Sequence, residues 1–415
     1  MATLKNYLSM LAAAAAIFAL PACSDDDDPT GDPPPAGDEF VKQGELTGNE
    51  TWTAENIYIL DGRVVVSEGV TLTIEAGTII KAEDADGSNA SALIVARGGK
   101  LNANGTAEKP IIFTSVNDGI KTGETESTLG IEDAGQWGGL VILGKAPVSV
   151  EAASGEGYLE GIPANLDYGW YGGTEATDNS GSLNYVSIRF SGVALEEDEE
   201  IQGLTLGGVG SGTTINNIEI FSNKDDGVEF FGGNVNVKNI LVYGQQDDGI
   251  DIDMAYSGTI DNGMVIQTAQ SGSSLEIDGP EGNMEGSFTL KNVTIDAGGF
   301  DKLLCDLRSG AMGNLQNIAI TNIGTTGSTV NLSDSDSEAN YTNGKITFSN
   351  WSLELPEGKT AADLFTKITG KDENDDPIFE VVTGNQVFLD AVADGTEGAN
   401  VSVFGWTLAK AQGAF

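Results

Sequence analysis

The sequence predicts an all-β solenoid, a right-handed parallel β-helix, and three observations lead there. Short β-branched runs recur: LNYVSIRF (183–190), INNIEIF (215–221), VKNILVY (237–243), IDNGMVI (260–266), LKNVTID (290–296) and LQNIAIT (315–321). Each carries an asparagine near the same offset, and Asn184, Asn217, Asn239, Asn262, Asn292 and Asn317 stand 33, 22, 23, 30 and 25 residues apart. A period of 22–25, with the longer intervals as loop insertions, marks a solenoid. Few segments show helical periodicity, so each repeat is a coil of strands. Asparagine suits a corner that needs left-handed φ, and stacked amides hydrogen-bond along the axis. A β-sandwich also supplies short strands, but it gives no reason for an asparagine at a fixed place in each one.

From the N-terminus, MATLKNYLSMLAAAAAIFALPACS has one lysine, an apolar run and small residues before Cys23. That is a secretory signal over residues 1–22, too short to span a membrane. It resembles a bacterial lipoprotein signal, which implies cleavage before Cys23 and attachment to outer-membrane lipid through its sulfur. SDDDDPTGDPPPAGDE (24–39) has nothing to bury, so residues 23–43 read as a disordered tether. An acidic run behind a lipidated cysteine is similar to the export signal of Bacteroidota surface lipoproteins and implies the outer face of the outer membrane.

Residues 44–350 read as one solenoid, because RVVVSEGVTLTIEAGTIIKA (63–82), ALIVARGGKLNANG (92–105), PIIFTS (110–115) and WGGLVILG (137–144) are strands between glycine turns. An insertion at 145–178 brings Tyr158, Tyr168, Trp170 and Tyr171, candidates for stacking on sugar rings or for packing on the solenoid flank. Residues 351–415 lack the repeat and read as a cap. There TAADLFTKI (360–368) is expected to be a helix, and QVFLDAV and VSVFGWTL are expected to be strands. Cys305, between leucines, reads as a small buried hydrophobe with no disulfide partner.

With 63 acidic and 20 basic residues the net charge is −43. Nucleic acid and anionic lipid are repelled; divalent cations, basic partners and neutral ligands are favoured. The chain has no histidine, which removes Ser-His-Asp catalysis, His-ligated zinc and imidazole shuttles.

SNKDDGVEFF (222–231) and GQQDDGIDID (244–253) concentrate the acids. Aligned at Asn217 and Asn239, Asp225 matches Asp247, Asp226 matches Asp248 and Glu229 matches Asp251. Adjacent coils lie about 4.8 Å apart. Two like charges at that distance repel by about 1 kcal/mol in water and about 3.5 at an effective dielectric near 20. The chain can splay the acids into water, share a proton, or hold Ca²⁺ on six carboxylates. SDSDSE (333–338) and LEEDEEI (195–201) read as solvated acidic loops, while EDADGSN (83–89) has part of a calcium-loop pattern of a kind common by chance.

WGGLVILG, GWYGGTEATDNSGSLNYVSIRFSGVAL and the segment from IQGLTL to DDGIDID (201–253) resemble a family of Bacteroidota surface lipoproteins with a pectin-lyase-like β-helix, from about residue 50 onward. The resemblance implies fold and location but no reaction. GQQDDGIDI is also similar to the Asp-Asp segment of polygalacturonases, which implies glycosidic hydrolysis with the carboxyls of Asp225, Asp226, Asp247 and Asp248 as acid and base; the Gly-His-Gly motif of that family is missing. Polysaccharide lyases on this fold use Ca²⁺ with a basic residue, for which Arg189 and Lys224 are the candidates. The expected function is a non-catalytic surface lipoprotein, Ca²⁺-stabilised, binding an extracellular polysaccharide or an envelope component. The alternatives are a polysaccharide-degrading enzyme, hydrolase or Ca²⁺-dependent lyase, and an accessory subunit beside an outer-membrane protein.

Overall fold

Each turn of the chain lays down one long bent strand and one short straight one. Thr214–Phe221 bends at Asn217 (φ 53°) and is followed by Val228–Phe231; Asn236–Tyr243 bends at Asn239 (φ 57°) and is followed by Ile250–Asp253. Successive turns pair in parallel and in register, Ile215 with Val237, Ile218 with Ile240 and Val228 with Ile250. The two legs of the bent strand and the short strand therefore build three parallel faces, called here the first, second and third sheets. The computed structural model describes residues 37–415 except 85–86, 88–89, 164, 197–198, 372–376, 383–385 and 393–397. The signal segment, Cys23 and most of the tether lie outside the described residues, as do parts of the 83–89 and 195–201 loops.

Alternation along each strand decides what is buried. Ile218, Ile220, Val228, Phe230, Ile240, Val242, Ile250 and Ile252 point inward and join one continuous core running the length of the solenoid. Each such side chain contributes roughly 1.5–3 kcal/mol. Cys305 is buried in the same core.

The asparagines stand at the corner between first and second sheets, with positive φ at 217, 239, 262, 292, 317 and 350. Their amides form a ladder: Asn217 Nδ2 donates to Asn184 Oδ1 (2.7 Å), Asn239 to Asn217 (2.8 Å), Asn262 to Asn239 (2.9 Å), Asn317 to Asn292 (2.6 Å) and Asn350 to Asn317 (3.1 Å). The ladder breaks once. Asn292 donates to Asp261 Oδ1 instead (2.6 Å), while Asn262 Oδ1 accepts the Asn400 backbone N–H (2.5 Å). In the first of these coils the corner residue is Tyr185 (φ 49°), one position after the expected Asn184.

Both ends of the solenoid depart from expectation. Glu39–Glu45 is already a strand, paired with Ile57–Val66, so the tether ends before residue 39 and not at 43. At the other end Phe365–Lys371 continues the third sheet on Thr329–Leu332, so the coils run past 350. TAADLFTKI gives only the short helix Ala361–Leu364 before that strand, and QVFLDAV gives the helix Gln386–Ala391. The helix satisfies its own backbone and drops Phe388 onto Phe348, Trp351 and Phe365, while Val392 just past it makes a parallel bridge to Trp351. Within SDSDSE, Asp334 caps the helix Ser335–Thr342, accepting from the Asp336 and Ser337 backbone N–H groups.

VSVFGWTL is not a strand either. It forms the 3₁₀ turn Val401–Phe404 and leads into the helix Leu408–Ala411. This tail runs back along the second sheet, burying Phe404 and Leu408 against Phe190, Phe221, Leu241 and Met264. Ala409 N–H donates to the buried Glu219 Oε1 at 2.8 Å.

Replacing Asn239 by Ala removes both its ladder bonds and places a Cβ residue without a local partner at left-handed φ. Asn239→Ala is expected to destabilise by roughly 2–3 kcal/mol, and Asn239→Gly, which tolerates the corner, by less. Denaturant unfolding checks this; a silent Asn239→Ala contradicts the ladder.

Candidate functional site

The third sheet changes character along its outer face. One outward column reads Val65, Ile94, Val141, Thr205, Glu229, Asp251, Glu276, Asp306, Asn331 and Thr366, each in register with the next. Its apolar rungs seat the 145–178 insertion, whose Val148, Leu159, Ile162 and Tyr171 pack on Val65, Ile94 and Val141. Of its acidic rungs, Glu229 and Asp251 floor a cleft of about 1090 Å³ between that insertion and the 278–281 turn. A second outward column runs alongside, two residues on: Phe231, Asp253, then Asp278 and Arg308.

The Asp-Asp-Gly turns bound the floor. Asp226 Oδ1 accepts the Asp248 backbone N–H at 2.8 Å, and Asp248 Oδ1 in turn accepts Ser273 N–H. The second aspartate of each pair is thus a rung-to-rung link. The glycine behind it is forced by close approach: a Cβ at Gly227 would lie 2.3 Å from Val242 Cγ1 and 2.6 Å from Gly249 O. The first aspartates differ from one another. Asp225 is half-buried, with Gln202 Nε2 3.4 Å from its Oδ2, while Asp247 is exposed at the lip.

Asp226, Glu229 and Asp251 are 7%, 7% and 8% exposed, and a carboxylate oxygen of each lies within 4.8 Å of the other two. These acids are buried rather than solvated. Asp251 Oδ1 is fully enclosed and has no hydrogen-bond partner. Burial is the largest influence on all three, followed by their neighbours' charge, and it holds their carboxyls well above the usual range. Burial likewise pushes Asp253 up to about 7. Glu276 rises to about 9 because burial and the adjacent Asp248 carboxylate outweigh the lowering effect of Arg308. Hard oxygen donors around an unsatisfied carboxylate oxygen suit Ca²⁺ in chemistry and in number, with room for water or ligand oxygens to complete six to eight.

The structure brings together Asp225, Asp226, Glu229, Asp247, Asp248 and Asp251, and sets Arg189 and Lys224 apart. Arg189 is fully buried on the second sheet, its Nε donating to Ser187 Oγ (2.8 Å) and its Nη1 to Thr125 O (3.0 Å). Lys224 is exposed, its stem against Gly135. Neither lines the cleft; the basic residue that does is Arg308. Its Nε lies 2.6 Å from Asp278 Oδ2, and Nη2 contacts Glu276. The sequence reading missed Arg308, Asp253, Glu276, Asp278 and Asp306. Their signal was the strand alternation in IDID, LEID and LLCDLR, which puts every second residue on the outer face.

The four aromatics divide as well. Tyr171 is buried, its hydroxyl 3.3 Å from Met254 Sδ. Tyr158 donates to the Pro163 and Leu166 carbonyls (2.7 and 2.8 Å) and meets Trp170 edge-on at 5.0 Å. Tyr168 faces a separate depression beside Arg97 and Lys145. Trp170, 38% exposed, offers ring surface to the cleft.

Fold and site together define a parallel β-helix protein with an acid-floored, partly lidded cleft on its third face. The chain belongs to the family described as pectate-lyase like beta helix domain, which it matches over residues 44–407, and the solenoid is the right-handed one of that family. Two solved structures of the pectin methylesterase from Aspergillus niger, one deglycosylated and one penultimately so, are similar in fold at 12% identity and TM-score 0.31. The penultimately deglycosylated form covers 84% of this chain and 90% of its own; the other covers 87% and 98%. A likeness of that size carries no activity across. No curated protein matches the chain.

In the metal-free protein, raised carboxyls keep protons that the unfolded chain has released by about pH 4–5. Their contribution to stability is present in acid and is lost as pH climbs through about 7 for Asp253 and about 9 for Glu276. The melting temperature in EDTA is therefore expected to fall from pH 5 to pH 9.5, and a rising profile contradicts the burial of these acids.

Proposed function

We propose that this protein is a non-catalytic cell-surface lipoprotein whose cleft holds Ca²⁺ on Asp226, Glu229 and Asp251 and uses it to bind a neutral polysaccharide. The observation that carries this reading is the buried triad with its unpartnered Asp251 oxygen. A divalent ion removes the repulsion that the registered coils impose, and its remaining coordination positions suit paired sugar hydroxyls. Trp170 lies at the cleft wall, where a sugar ring can stack on it.

Charge selects among polymers. Around the triad the cleft also carries Glu156, Glu160, Asp253 and Glu281. A single Ca²⁺ leaves it negative, so polyuronates are disfavoured and neutral chains accepted. Anchorage through Cys23 to the outer membrane sets the site towards extracellular polymer. A hydrolase reading has one observation in its favour, the Asp253 carboxyl near 7 inside the cleft, suited to donating a proton.

Calcium is expected to raise the melting temperature of the purified full chain, and Asp251→Asn to weaken calcium binding at least tenfold by isothermal titration. Neutral glucans or mannans are expected to retard the protein in affinity gels only with calcium, while polygalacturonate does not. No calcium response rejects the proposal, and new reducing ends that vanish in Asp253→Asn replace it with the hydrolase. Separately, Cys23→Ala is expected to move the protein from the membrane to the soluble fraction; retention in the membrane rejects the anchor.

A further inference from the structure

Among the described residues three carboxylate groups have cation-holding geometry: Asp226 with Glu229 and Asp251, and Asp251 with Glu276 and Asp278, share Asp251, while the third, Asp225 with Asp226 and Asp247, shares Asp226 with the first of these and includes the exposed Asp247. We infer that Arg308 is the resident cation of the upper group and so leaves the two groups that share Asp251 a single divalent ion, held by the lower one. The inference rests on the calcium reading for the lower group.

Register puts Arg308 there. Ile277 pairs with Leu307, so Arg308 follows one coil above Asp278 and extends over both acidic columns. Its fork takes Asp278 Oδ2 through Nε at 2.6 Å and Glu276 Oε1 through Nη2. A guanidinium is planar, always charged and a donor in several directions, so it meets two carboxylates on neighbouring columns as one ion would. The lower group has no such side chain. Asp248 and Asp226 are tied to backbone N–H groups, and the basic residues Lys224 and Arg189 lie elsewhere. Asp251 stands between the two groups. Arg308 bonds its upper neighbours and reaches Asp251 through charge alone, so Asp251 Oδ1 is left without a hydrogen-bond partner. That asymmetry is what a floor with one built-in and one acquired cation shows. On the same coil as Arg308 the first column closes: Asp306 accepts from Asn331 Nδ2 at 3.2 Å and from Ser333 Oγ.

Removing the guanidinium opens the upper group to metal. Bound calcium per full chain is counted by equilibrium dialysis and atomic emission at neutral pH, for wild type, Arg308→Gln and Arg308→Lys. The expected counts are one, two and one. One ion in both wild type and Arg308→Gln overturns the inference while the calcium reading stands, and two in wild type overturns it as well. None in wild type but one in Arg308→Gln upholds the role of Arg308 and rejects the lower site; none in either rejects both. Where Arg308→Gln unfolds in EDTA, refolding in calcium with two ions supports the inference, and failure to refold counts against it.

Discussion

Vertical register is the constraint on which the rest of the structure depends. Parallel coils pair residue for residue, so whatever side chain occupies one rung meets its equivalent about 4.8 Å away on the next. For groups with both a donor and an acceptor, such as amides, that spacing is favourable. Asn217, Asn239 and Asn262 pass hydrogen bonds from coil to coil at 2.8 and 2.9 Å. For carboxylates the same spacing is unfavourable, since neither partner has a proton to give when both are ionised. Glu229, Asp251 and Glu276 occupy consecutive rungs of one column. A backbone geometry that stabilises one corner of the solenoid therefore loads its third face with charge.

The molecule meets that charge in several ways along a few coils. Asp226 and Asp248 turn an oxygen to the backbone N–H of the next coil. Asp306 is satisfied by Asn331 and Ser333. Glu276 and Asp278 take the Arg308 guanidinium. What remains is Asp251 with its unpartnered oxygen and the buried Glu229 beside it. The insertion on the apolar rungs overhangs these groups and keeps water from solvating them fully. Its hold on Val65, Ile94 and Val141 is hydrophobic and does not depend on the acids it shelters.

Much of this was legible in the sequence, for physical reasons. Asparagine at the left-handed corner is a local requirement repeated in the coils from Asn217 to Asn350, so it shows as a period. The Asp-Asp-Gly match between the 225 and 247 turns follows from the same alignment. What did not show were contacts between parts of the chain with no shared period. Arg308 pairs with Asp278 across 30 residues, beyond a loop that breaks the count. The tail donates from Ala409 to Glu219 across 190 residues, and nothing in VSVFGWTL marks it as a helical strap rather than a strand. Its β-branched residues suggest a strand, but its environment is a finished sheet face with no free edge. Tyr185 at the first of these corners, with Asn184 one position earlier, shows how far a regular pattern can mislead by a single residue.

The central claim is that the registered acids form a metal cage and not merely a charged wall. Anomalous scattering from crystals of the full chain grown with calcium, then exchanged into terbium, tests it most directly. The account predicts one strong peak enclosed by Asp226, Glu229 and Asp251, within bonding distance of Asp251 Oδ1. An empty triad, or a peak found only at the exposed Asp247, would contradict it.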